Sequence, residues 1–209
     1  MAINGKKLIE ILGKISEKIE LNKGYLSELD ATIGDGDHGI NMSKGFKAVV
    51  EKLKDDNGED VSLILKKSGM ALVSTVGGAS GPLYGTAFMK AAIAVNGKDE
   101  IDINDFKNIV NEALEGIKMR GKAVSGEKTM IDAINPAFEV LKNGIENNLD
   151  TLEIIKLMKE AAFEGVEYTK TIAATKGRAS YLGERSIGHQ DAGATSSYLI
   201  FETIYESLK

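Results

Sequence analysis

Apolar residues recur along this chain at steps of three and four. Leu8, Leu12, Ile15 and Ile19 form the first stripe, on a helix that starts near Asn4. Such spacing puts every member on one face of a 3.6-residue helix and leaves the opposite face to Lys and Glu. A short helix over residues 25–33 follows, then a loop at 34–39. The next helix is striped by Phe46, Val49, Val50 and Leu53 and ends in the charged stretch 54–58. Asp60 is placed to cap a helix carrying Val61, Ile64, Leu65 and Leu72, which stops at Gly77-Gly78; Pro82 then sits in the first turn of another. Residues 103–120 carry Phe106, Ile109, Val110, Leu114 and Ile117 on one face. A helix at about 129–145 contains Pro136, which should kink it. Asp150, with Glu153 three residues on, reads as a capping box for a helix running to about 175. Residues 176–193 carry no helical stripe, and a last helix holds Tyr198, Leu199, Ile204 and Leu208. Eight or nine helices joined by short loops imply an all-α fold of antiparallel neighbours, a bundle or a closed barrel, and periodicity does not choose between the two.

Composition supports this picture. Only 6% of the residues are aromatic and runs alternating apolar with polar residues are few, so strand signals are poor. With 209 residues, 43% of them hydrophobic, and no Pro-, Ser- or charge-rich linker, the chain reads as one domain, residues 1–209. The first twenty residues break their apolar positions with Lys and Glu at every turn, which suits neither a signal peptide nor a membrane span. The chain has no cysteine, so disulfides and thiolate metal sites are excluded; the expected location is the cytoplasm. The net charge of −5 gives no general attraction to nucleic acid or to an anionic membrane. A bound polyphosphate would need a local positive site or a metal.

Three loops hold more chemistry than turns require. The first is Asp30-Ala-Thr-Ile-Gly-Asp35-Gly-Asp37-His38-Gly39. Three carboxylates gathered near one point repel each other unless a cation neutralises them. An all-oxygen set suits magnesium, which keeps part of its octahedron for water and phosphate oxygens. A calcium EF-hand does not fit, because counting from Asp35 places Phe46 where the bidentate Glu belongs. Taken singly, each Asp could equally cap a helix or shape a turn. The second loop, Gly77-Gly78-Ala79-Ser80-Gly81-Pro82, lets backbone N–H groups approach an anion at a helix N-terminus, though a close helix-to-helix turn explains it as well. It is no P-loop, since no Gly-Lys-Ser/Thr follows. The third region, 176–193, gathers Lys176, Arg178, Arg185, His189 and Asp191 on a glycine-rich stretch in an otherwise acidic chain. Arg178 could neutralise a phosphate, and Asp191 could instead be the N-cap of the last helix. Its length without structure of its own argues for function. Ser80 with His38 or His189 is no hydrolase signature, because no G-x-S-x-G elbow is present.

Together these segments resemble a known family. Asp30…Gly-Asp35-Gly-Asp37-His38-Gly39-Ile40-Asn41-Met, Gly77-Gly-Ala79-Ser80-Gly-Pro-Leu-Tyr-Gly85-Thr, Gly126-Glu-Lys-Thr129-Met130 and the run from Lys176 through Arg178 and His189 to Asp191 are similar to the nucleotide-binding L subunits of dihydroxyacetone kinases, across essentially the whole chain. The resemblance implies an all-α barrel of about eight antiparallel helices with the nucleotide in the loops at one end. It implies that Asp30, Asp35 and Asp37 hold two magnesium ions. It assigns His38, Gly39, Ile40, Asn41, Ala79 and Ser80 to the phosphates, and Gly121, Thr129, Met130, Arg178, Asp191, Ala192 and Gly193 to the rest of an ADP site, with Met130 under the adenine. Ala192 stands where some relatives carry proline. No residue of this chain is needed as a nucleophile. The implied partners are a substrate-binding K subunit, which holds dihydroxyacetone, and a histidine phosphoprotein, the M subunit, which rephosphorylates a resident ADP; a homodimer is also implied, and activity only in the complex. The neighbouring possibilities are an L subunit of an ATP-dependent ketone kinase and a nucleotide-sensing module that binds a transcription factor.

Overall fold

The structure is a computed structural model and describes residues 2–209. Among the described residues the apolar stripes become nine α-helices: α1 (Gly5–Leu21), α2 (Lys23–Ile33), α3 (His38–Leu53), α4 (Val61–Thr75), α5 (Ser80–Ala94), α6 (Ile103–Gly121), α7 (Ile131–Glu146), α8 (Thr151–Thr169) and α9 (Ala192–Leu208). A 3₁₀ helix, Arg178–Ser186, lies between α8 and α9. Two residues at each of β1 (Ile3–Asn4) and β2 (Glu100–Ile101) pair antiparallel, a clip that periodicity did not announce.

The helices close into a ring. α1 packs on α3, and each helix from α3 to α9 packs on the next; α9 returns to α1, while α2 lies outside against α3 and α9. The open choice between bundle and barrel therefore falls to an eight-helix barrel. One apolar cluster runs around its inside, with Leu12, Ile19, Phe46, Leu72, Leu114, Leu141 and Ile154 among its most buried members. A ring of eight helices is too wide for its side chains to fill, and an apolar cavity of about 180 Å³ remains, lined among others by Leu12, Leu65, Phe88, Ile109, Ile134 and Phe201. Among the described residues no helix is long and apolar enough to cross a membrane.

Caps set the helix ends. The side chains of Asn4, Asp60 and Asp150 accept hydrogen bonds from backbone N–H groups of α1, α4 and α8 in turn. The reciprocal capping box sits on α6, where Asp102 accepts from the Asp105 N–H and the Asp105 carboxylate accepts from the Asp102 N–H. Pro136 lies inside an α7 that runs on through it. Its missing N–H leaves the Asp132 carbonyl without its usual i+4 donor. Gly165 of α8 packs its backbone onto that carbonyl so closely that any Cβ there would collide with the oxygen. Helix α8 ends at Thr169 rather than near residue 175. The Thr169 hydroxyl donates to the Val166 carbonyl (2.6 Å) and accepts from the Asp191 N–H (3.0 Å), which ties the helix end to the start of α9.

Candidate functional site

Alternate helices begin at the same end of the barrel. His38 of α3, Ser80 of α5, Ile131 of α7 and Ala192 of α9 all line one cleft of about 520 Å³. Four helix N-termini thus surround it, each presenting the positive end of a helix dipole, a setting that favours an anion.

The α2–α3 loop forms the acidic wall. Gly36 has φ +76°, a left-handed conformation that turns the chain between Asp35 and Asp37. Asp30, on the last turn of α2, accepts hydrogen bonds from the backbone N–H groups of Asp37 (2.9 Å) and His38 (3.2 Å), and so folds the loop back over itself. Carboxylate oxygens of Asp30, Asp35 and Asp37 consequently lie within 4.8 Å of one another. The only cation at bonding distance among the described residues is Arg178, whose Nη2 is 2.9 Å from Asp35 Oδ2. Three oxygen donors with one exposed guanidinium fit a hard divalent ion and leave coordination positions for a ligand.

Behind the acidic wall runs a buried polar chain. His38 is 7% exposed; its Nδ1 lies 3.0 Å from Ser80 Oγ and its Nε2 2.8 Å from Ser196 Oγ. Ser196 Oγ is 2.8 Å from the Tyr84 hydroxyl, which also reaches Ser197 Oγ at 2.9 Å. The ring of one histidine therefore joins the starts of α3, α5 and α9. Burial pushes the His38 imidazole below its ordinary range, against the pull of Asp30 and Asp37, and burial pushes the Tyr84 phenol up to about 12. Tyr84, Ile117 and Met130 line both the cleft and the apolar cavity, so they form the floor between the two.

The far wall is built by the segment that carried no stripe. Its 3₁₀ helix stands on a small apolar cluster of Ala174, Ala179 and Leu182 with Ile33 of α2, separate from the main core. That perch delivers Arg178 to Asp35. Asp191 is the N-cap of α9, accepting from the Ala194 N–H at 2.7 Å, and it also lines the cleft. Desolvation, with Asp132 and Asp30 nearby, pushes its carboxyl up to about 7. A carboxyl raised above its unfolded value of 3.8 stabilises the folded chain while protonated, and that contribution is lost as pH rises towards 7. Asp191→Asn keeps an N-cap acceptor but removes the titration. In metal-free protein its melting temperature should gain on that of the parent between pH 4 and 7; parallel pH profiles would show that Asp191 is ionised throughout.

The cleft brings together most of the residues singled out from sequence: Asp30, Asp35, Asp37, His38, Ala79, Ser80, Gly121, Thr129, Met130, Arg178, Asp191, Ala192 and Gly193. Three do not line it. Gly39 is buried, Ile40 is 57% exposed, and the Asn41 side chain lies beside Gly77. Two charged lining residues, Arg120 and Lys128, have no place in the site as read from sequence. Arg120, at the end of α6, looks there like an ordinary solvated charge, and Lys128 was hidden inside the Gly-Glu-Lys-Thr-Met run.

The DAK2 domain matches residues 32–206. The chain is 41% identical over 204 residues to the ADP-binding subunit DhaL of the PEP-dependent dihydroxyacetone kinase of Escherichia coli K12, covering 98% of this chain and 97% of that one. It is 48% identical over 198 residues to the ADP-binding subunit DhaL of the PTS-dependent dihydroxyacetone kinase of Lactococcus lactis, covering 95% of each. Its fold matches the dihydroxyacetone kinase of C. freundii solved with AMP-PNP and Mg2+, at a TM-score of 0.74 and 22% identity, over 99% of this chain and 35% of that one. With a closed helical barrel, an acidic loop at its mouth and this degree of identity along nearly its whole length, the chain belongs to the DAK2-domain family of dihydroxyacetone kinase L subunits.

Proposed function

We propose that this chain holds ADP and magnesium in the cleft and serves a phosphoryl relay from a histidine phosphoprotein, the M subunit, to dihydroxyacetone held on a separate K subunit. The observation that carries the reading is the convergence of Asp30, Asp35 and Asp37 with Arg178 at a cleft ringed by four helix N-termini. The names of the Escherichia coli relative, PEP-dependent, and the Lactococcus lactis relative, PTS-dependent, which the chain matches over 97% and 95% of their length, support this relay over a kinase that exchanges free ATP.

In this reading Asp30, Asp35 and Asp37 hold the metal, as two ions. The N-termini of α3 and α5, with Ser80, take the phosphates, and Met130, buried on the floor, lies under the base beside Gly121 and Thr129. Magnesium, when bound, supplies neutralisation of phosphate oxygen charge and alignment of the transferring group. The chain's own residues do the rest by position. His38 holds Ser80 against the cleft, Arg178 adds positive charge at the mouth, and the segment around it keeps water out. No side chain of this protein forms a covalent intermediate in the scheme.

Purified protein should carry ADP, seen by native mass spectrometry, and should bind added ADP only with magnesium. A ligand at a thousandfold excess over its dissociation constant stabilises by about 4 kcal/mol, so EDTA should lower the melting temperature by several degrees. Calorimetry without any magnesium-dependent ADP heat would overturn the assignment.

A further inference from the structure

Lys128 is among the largest fully buried side chains of the protein, 1% exposed, and its backbone has φ +60°, in the left-handed region that non-glycine residues rarely occupy. No carboxylate lies within ion-pair distance of its ammonium among the described residues; Nζ donates instead to three backbone carbonyls, those of Thr169, Ile172 (3.3 Å) and His189. A lysine ammonium has three N–H donors, and here all three are used. The first two carbonyls belong to the end of α8 and the turn after it, where a helix leaves its last C=O groups unpaired. The third belongs to the chain returning from the 3₁₀ helix, two residues before Asp191. One buried ammonium therefore fastens both stems of the segment that carries Arg178, and it does so from the residue next to Thr129 and Met130 on the opposite wall of the cleft.

We propose that Lys128 is a positioning residue that staples the 170–190 segment over the cleft and thereby sets how slowly nucleotide leaves it. Apart from Lys128, the segment is held by a small apolar cluster around Ile33 and by polar ties, several of them at the surface. Its stems are joined by the Gly188 N–H donating to the Lys170 carbonyl (2.7 Å), the Ala174 N–H to Ser186 Oγ (2.8 Å) and the Asp191 N–H to the Thr169 hydroxyl (3.0 Å). Outward, Thr175 donates to the Glu127 carbonyl (3.3 Å) and carboxylate (3.1 Å), Lys176 faces the same carboxylate, Gln190 donates to the Tyr25 hydroxyl (3.1 Å) and Arg178 pairs with Asp35. A unit with so few buried contacts opens more readily than the barrel, and each tie that closes it slows its opening. A neutral side chain at 128 would leave the three carbonyls without their shared donor and remove the one buried tie between both stems and this wall, leaving the more exposed contacts of Thr175 and Lys176 with Glu127.

The part concerning release rests on the nucleotide reading of the cleft, so the test has two arms. In protein free of nucleotide and magnesium, amide exchange by NMR should show the Ala174, Gly188 and Asp191 N–H groups losing protection at least tenfold in Lys128→Met, with amides of α1 and α4 unchanged. Lys128→Gln, which keeps two N–H donors, should fall between. With magnesium and a fluorescent ADP derivative, stopped-flow should show release at least tenfold faster in Lys128→Met and association within twofold of the parent. A uniform loss of protection around the barrel would mean that Lys128 only supports the core. Loosened stems with unchanged release would mean that the staple does not govern the nucleotide; either result overturns the proposal. Should both variants fail to fold, Ser186→Ala, which frees the Ala174 N–H on the same stem, must speed release several-fold, and unchanged release would refute the staple. Absence of binding by the parent would sink the nucleotide reading instead, while the exchange arm would still decide whether Lys128 fastens the segment.

Discussion

Asp37→Ala should weaken magnesium-dependent ADP binding at least a hundredfold, roughly 3 kcal/mol, in a protein that is still fully helical. The two halves of this expectation have different physical sources. The fold rests on apolar helix faces turned into the barrel, and Asp37 stands in a loop at its mouth, so its loss removes nothing from the core. Binding, in the proposed site, depends on oxygen donors for a divalent cation, and Asp37 is one of three within 4.8 Å of each other. Without metal these carboxylates repel one another. Removing one relieves that repulsion, so the metal-free variant should melt no lower than the metal-free parent. Asp35→Ala should behave in the same way, since its ion pair with Arg178 is exposed and such pairs contribute about 1 kcal/mol or less. Asp30 is the wrong residue for this test, because it also accepts from the Asp37 and His38 N–H groups and shapes the loop itself. Calorimetric titration with Mg-ADP, paired with thermal melts in EDTA, gives the answer. An Asp37→Ala protein that binds Mg-ADP like the parent, or that is unfolded where the metal-free parent is folded, would return these aspartates to a structural role.

How far the sequence could be read depends on what kind of information each feature carries. The stripes of α1, α3, α4 and α6 were plain, since an apolar residue every three or four positions has one physical meaning. Ring closure was not, because a stripe says that a face is buried and not which helix covers it. The capping box of α6 escaped because Asp105 does the work usually sought from Glu or Gln, while the pattern around Asp150 matched the usual spelling. The acidic loop was readable from residue types alone, as three aspartates around glycines conflict unless something neutralises them. The His38 chain was not: Ser80, Tyr84, Ser196 and Ser197 lie 42 to 158 positions from their partners, and nothing local marks them as polar groups in need of one another. Lys128 shows the sharpest failure. A lysine among small polar residues reads as solvated, and only the left-handed backbone and the cut-short end of α8 turn it inward.

Arg178→Ala should slow phosphoryl transfer by about a hundredfold to a thousandfold while reducing ADP affinity less than tenfold. The asymmetry follows from where the guanidinium sits. Its side chain is 66% exposed and meets Asp35 from the solvent side, so the pair is screened by water and contributes little to holding the ground state together. Phosphoryl transfer then changes the demand on this residue. In the proposed relay charge would move onto oxygens between donor and acceptor near the guanidinium, and a fixed cation there would stabilise the transition state more than the bound nucleotide. A partner subunit in that relay would also cover the mouth and displace water, which would strengthen the same charge. Arg178→Lys keeps the charge but not the planar two-pronged donor, and should recover only part of the rate. The measurement is a single-turnover experiment with the K subunit, the histidine phosphoprotein, phosphoenolpyruvate and dihydroxyacetone, set beside the Mg-ADP affinity of each variant. Rate and affinity falling by the same factor would make Arg178 a binding residue only, and a rate unchanged in Arg178→Ala would remove it from the transfer step and leave it as the outer partner of Asp35.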